Sequence, residues 1–169
     1  MSGGSWGRRD GEPAGSSPSH MTAWSKMQMG WLTPTTITAT TTGVTIPPAE
    51  TNAVAYRIWR DGATTGDEYF LVENRGATGD DYIDGHLRVR GLAVTHVNLD
   101  KYPDGRPDTW PIRLINCLNC DRWRPMLMNE QADGKFELQK PGNRRDDIGD
   151  LFQPGNELLP SADGTALGA

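Results

Sequence analysis

Glu68-Tyr69-Phe70-Leu71-Val72-Glu73-Asn74-Arg75 is the stretch that decides the fold. Its middle, Tyr69 to Val72, is apolar without alternation, so a strand here is covered on both faces and lies inside a sheet. Upstream, Val54, Tyr56 and Ile58 alternate with Ala55 and Arg57, the period of a half-buried strand. Asp61-Gly62 and Thr65-Gly66-Asp67 stand between the two runs and favour turns, so the pair reads as a hairpin with a longer loop. Downstream, Gly91-Leu92-Ala93-Val94-Thr95-His96-Val97-Asn98 has the composition of a further strand.

Further from this centre, Thr35–Thr42 is Thr-rich and β-prone, and Val44-Thr45-Ile46 reads as a short strand ended by Pro47-Pro48. Met126–Asn129 and Phe136-Glu137-Leu138 fit the strand pattern less fully. Before the strands, Ser19 follows Pro18 as a helix cap. Met21, Trp24 and Gln28-Met29 then fall along one helical face, and Gly30 suits the stop. Met and Trp at this spacing read as core packing rather than as a cofactor site. The expected fold class is α+β, a predominantly antiparallel sheet with one short N-terminal helix. Residues 1–155 read as one body, with 1–18 irregular, 19–30 helical and 35–140 β-rich, and 156–169 read as a poorly ordered tail.

Composition narrows the function classes. Of 169 residues 36% are hydrophobic, with 20 Gly and 12 Pro, which marks a loop-rich or sheet-rich chain. A net charge of -5 gives no electrostatic reason to expect nucleic acid, since phosphate contacts need clustered Lys and Arg. No apolar run is long enough to span a membrane. Met1-Ser2-Gly3-Gly4-Ser5-Trp6-Gly7-Arg8-Arg9 lacks the apolar core of a signal peptide.

No catalytic set assembles from these residues. A helical zinc site needs two His four apart, and His20, His86 and His96 offer no such pair. His96 shares strand parity with Leu92 and Val94, so it reads as a core histidine with a satisfied ring N–H. Cys117-Leu118-Asn119-Cys120 has no second CxxC to complete a zinc site and no βαβ setting for redox work. It reads as an incidental disulfide or a pair of free thiols. Asp146, Asp147 and Asp150 around Gly149 form an acidic turn that departs from the EF-hand pattern. A solvated loop is the first reading there and calcium the second; Asp80, Asp81 and Asp84 are read in the same way.

Several of these segments, in order, resemble one family. Met1–Trp6 is similar to the MSGGSW stretch of the immune inhibitor A-type secreted zinc metallopeptidases of bacteria. Pro18–Trp31 resembles the family's P-x-H-x-x-A-W-x-K-x-x-x-G-W helix, Glu68–Arg75 its EYFLVENR strand, and Gly91–Val97 its GLLIWHV. Gln131-Ala132-Asp133-Gly134 and Gly149-Asp150-Leu151-Phe152 resemble two further landmarks. The resemblance covers about residues 1–155. It implies an extracellular zinc endopeptidase acting on protein or peptide substrates. In that family a His-Glu-x-x-His helix upstream of MSGGSW supplies two zinc ligands and the base.

The resemblance further implies that this chain is the C-terminal part of such a domain, starting just after the zinc helix, with Met1 an internal methionine from the turn beneath the metal. The chain is then expected to bind no catalytic zinc, to have no catalytic residue of its own, and to use Met1, Trp24, Trp31, Tyr69 and His96 structurally. It is also expected to expose apolar surface at Trp24, Met27 or Trp31. The alternative is a non-catalytic β-rich binding or adhesion module working through the loops at 60–67 and 76–86, whose single aromatic is Tyr82.

Overall fold

The computed structural model describes residues 11–13, 16–76, 84, 87, 89–99, 125–135, 137–139 and 148–153, together with the backbone of 159–160 and 167–168. Met1, the Cys117–Cys120 motif, Asp80, Asp81, Tyr82, His86, Asp146 and Asp147 lie outside these residues. One helix, α1 (Ala23–Gln28), precedes a five-stranded sheet of β1 (Thr35–Ile37), β2 (Tyr56–Ile58), β3 (Glu68–Arg75), β4 (Gly91–Asn98) and β5 (Leu127–Glu130). Spatial order follows chain order, which puts β3 in the middle. A separate two-residue pair joins β6 (Leu159–Pro160) to β7 (Leu167–Gly168).

The sheet is mixed. β1 runs parallel to β2, while β2–β3, β3–β4 and β4–β5 are antiparallel. The α+β, sheet-dominated architecture is therefore the observed one. β3 and β4 pair along their full eight residues, from Glu68 opposite Asn98 to Arg75 opposite Gly91. As the unbroken apolar run requires, β3 is covered on both faces. Tyr69 and Leu71 pack with Val97, Ala55, Leu32 and Ala23 of α1, and Phe70 and Val72 pack with Val94, Ala132 and Phe152 on the opposite side.

Four local expectations are corrected. The helix begins at Ala23 and not at Ser19: Thr22 is its cap, accepting from the Ser25 N–H at 3.3 Å. Ser19 cannot serve, because the next residue, His20, is held by its own backbone; its N–H donates to Asp84 and its carbonyl accepts from Arg75. The helix face also differs. Ala23 and Lys26 are the buried residues, Trp24 and Met27 pack half-buried beside them, and Met29 is 54% exposed. Val44–Ile46 forms no strand. The Ile46 carbonyl is taken by the Asn74 side chain, and Pro47 and Pro48 bring no N–H to a ladder, which leaves a single bridge from Pro48 to Asn74. Leu138 belongs to a 3-10 turn, Glu137–Gln139, and not to a strand.

Gly30 ends the helix as expected. At φ 72° it lets Trp31 N–H reach the Lys26 carbonyl at 2.9 Å and its own N–H reach Met27 at 3.0 Å, a complete Schellman closure. Along β2 and the residue before it the deeper positions are Ala55 and Arg57; the Arg57 guanidinium lies over the Tyr69 ring at 4.5 Å and donates to the carbonyls of Ala63 and Gly66. At the head of β4, a Cβ on Gly91 would run into the Phe152 carbonyl and the Leu151 side chain, so only glycine admits the Leu92–Phe152 bridge. Leu71, with no exposed surface, is the centre of the helix-side core. Leu71→Ala is expected to cost about 2–5 kcal/mol by loss of burial and a residual cavity, measured by urea unfolding.

Candidate functional site

Two polar constellations lie on opposite faces of the β3–β4 pair. The first is an ion network under α1. Glu73 and Arg75 share the face of Leu71, where an apolar contact would be expected, and both are buried. Glu73 Oε1 accepts the Ala23 N–H at 3.0 Å, one of the donors a helix start leaves without an internal partner. Its Oε2 lies 3.3 Å from Nζ of Lys26, and Arg75 reaches its Oε1 at 3.4 Å. Arg75 continues to Asp84, with Nη2 to Oδ2 at 2.6 Å, and Asp84 is 0% exposed. Glu50 stands in the same acidic surroundings, and burial first, then the neighbouring Asp84, raises its pKa. Burial pulls the Arg75 pKa down, but the charges of Glu73 and Asp84 outweigh it and the net shift is upward, so the guanidinium stays charged.

On the other face His96 is clamped between two carboxylates. Nε2 stands 3.1 Å from Glu68 Oε1 on β3, and Nδ1 stands 3.5 Å from Glu130 Oε1 on β5. Asn98 donates to the same Glu68 oxygen at 3.1 Å. The imidazole stacks on Phe70, with ring centroids 4.7 Å apart, and Trp59 lies 6.5 Å away. Burial opposes the charged ring, but the flanking carboxylates of Glu130 and Glu68 prevail, and the His96 pKa is raised. His96 is half-buried on the face of Phe70 and Val94, with an acidic partner beside each ring nitrogen.

The remaining residues singled out from the sequence fall into several settings. Tyr69 is buried under Arg57, and burial leads the upward shift of its phenol pKa. Trp24 is half-buried against the core, whereas Trp31 is 59% exposed. Asp150 is buried and accepts from the Gln131 amide, so it does not face solvent. Asp84 likewise serves as the counter-charge of Arg75. Sequence reasoning did not find Glu73, Lys26, Glu68 or Glu130. The available signal was a charge standing at an apolar position of a period, as with Lys26 beside Met27 and Glu73 after Val72.

Among the described residues no group of three or more His, Cys, Asp or Glu side chains could hold a metal ion such as the zinc that the resemblance implies, and the two carboxylates at His96 lie at opposite ends of one ring. No helix among the described residues is long and apolar enough to cross a membrane. No protein-family model, curated protein or solved structure matches the chain.

The network fixes an order of sensitivity. Glu73→Gln leaves Lys26 without its counter-charge and is expected to cost about 3–5 kcal/mol, as removal of one partner from a buried ion pair does. Lys26→Met leaves Glu73 facing Arg75 and is expected to cost less. Denaturant melts of the two variants beside the parent chain check the order.

Proposed function

We propose that this chain is the sheet-bearing scaffold of a secreted zinc metallopeptidase domain of the immune inhibitor A type, cleaving peptide bonds in protein substrates when the domain is whole. One observation carries the reading. Segments that resemble separate family motifs are packed on one another, and the residues that make the resemblance specific are those in contact. Ala23 and Lys26 of the helix motif meet Glu73, whose neighbour in the network, Arg75, ends the EYFLVENR stretch. That stretch pairs residue for residue with the segment like GLLIWHV. Gln131 and Asp133 of one landmark contact Asp150 and Gly149 of the other, and Leu92 exchanges backbone hydrogen bonds with Phe152.

A set of motifs selected together is expected to behave in this way, because each buried charge needs its partner from another segment. In the proposed role the sheet and α1 form a rigid body beside the metal, and the chemistry belongs to a His-Glu-x-x-His motif that these 169 residues do not contain. His96 is not recruited as a ligand or base in this scheme, since both its nitrogens are engaged. The extracellular setting and the peptide substrate follow from the same proposal.

Two measurements test it. The coding DNA 5′ of the Met1 codon is expected to carry an in-frame His-Glu-x-x-His, and a stop codon reached without one sinks the scaffold role. The purified 169-residue chain is expected to leave casein intact; hydrolysis abolished by a chelator overturns the assignment of the zinc chemistry to another segment.

A further inference from the structure

The carboxylate of Glu130 is the least compensated charge on the sheet. Its side chain has no exposed surface, and neither oxygen has a close hydrogen-bond donor among the described residues. Among the described residues the one cationic group it faces is the His96 ring, at 3.5 Å. The other side of that ring faces Glu68, so His96 ties β5 to β4 and β3 through a single exchangeable proton. Among the described residues β5 is an edge strand of four residues with β4 as its one neighbour. It leads directly into Gln131, which binds Asp150, and so into the segment bridged to β4 through Phe152.

We propose that the His96 imidazolium is a pH-sensitive latch that fastens edge strand β5, and the Gln131–Asp150 link beyond it, to the sheet. With the proton in place, the ring carries a positive charge between two carboxylates, and Glu130 is answered. Without it, the neutral ring can donate from one nitrogen only, and one carboxylate, Glu68 or Glu130, loses its donor. Glu68 keeps Asn98 and some contact with water, whereas Glu130 has neither. The proton then left on the ring favours Nδ1, but the neutral ring no longer offsets the buried negative charge.

Among the described residues the other groups around the ring do not provide a substitute. Phe70, Trp59 and Asn98 carry no charge, and the Arg60 guanidinium lies over the Trp59 ring, 5.1 Å from its centre. The sign is fixed by the direction of the shift. A histidine whose pKa is raised in the folded chain contributes stability that is fully present below its ordinary value of about 6.5 and lost as pH rises through the folded value. The latch closes in mild acid and opens toward alkaline pH. It does not depend on the peptidase reading.

Hydrogen–deuterium exchange on the full chain tests the latch. Protection of Leu127–Glu130, corrected for the intrinsic pH dependence of exchange, is compared with that of Tyr69–Val72 between mildly acidic and mildly alkaline pH. The edge strand is expected to lose roughly tenfold in protection for each unit by which the His96 pKa is raised, while the central strand holds. Glu130→Gln, which keeps the shape and removes the charge, is expected to flatten the pH dependence. Unchanged protection of β5 across the range overturns the proposal, and so does a Glu130→Gln chain that loses protection as the parent does. His96→Gln is expected to leave β5 loosely held at every pH; should that chain not fold, the Glu130→Gln comparison alone decides.

Discussion

A carboxylate removed from water must be met by cations or donors, and the fold on the helix side is arranged around one such group, Glu73. Burying it without partners would cost several kcal/mol. The Ala23 N–H, Lys26 and Arg75 answer it, and each answer positions a different segment. The first seats the start of α1 on the sheet, and the second turns a charged residue of that helix inward. The third extends to Asp84 and so ties down the chain that returns toward β4. Asp84 and Arg75 then hold the backbone of His20 on both sides, which is why the helix cannot begin earlier.

The two faces of the β3–β4 pair use charge differently. Beneath α1 the carboxylates of Glu73 and Asp84 are met by a lysine and an arginine. On the opposite face a single imidazole serves two carboxylates, and its charge is conditional. The same hairpin therefore carries one polar cluster built on lysine and arginine and one built on an imidazole. Their separation follows from strand geometry, since Glu73 and Arg75 are of one parity and Glu68 and His96 project from the other face.

The central part of the fold was legible because it rests on short-range pattern. The unbroken apolar run at Tyr69–Val72 implied an inner strand, and the turn residues between Ile58 and Glu68 implied the hairpin. The errors arose where a distant residue decides a local outcome. Ser19 has the chemistry of a cap, yet Asp84 and Arg75, far along the chain, claim the backbone next to it. Val44–Ile46 has β propensity, but an Asn74 side chain and two prolines take or lack the groups a ladder needs. The parity of His96 marked it as a core residue, whereas its acidic partners come from strands on either side and leave no periodic trace.

The shortness of α1 has a consequence for the order of assembly. A helix of six residues cannot persist alone in water, because nucleation is unfavourable and too few turns follow to offset it. Its buried lysine and its first N–H both need a carboxylate that exists in place only once β3 is set. The β3–β4 ladder is the more local structure, joining segments that follow one another along the chain. The helix is thus a product of the sheet rather than a seed for it, and a chain that fails to zip β3 to β4 has no template on which to wind residues 23–28.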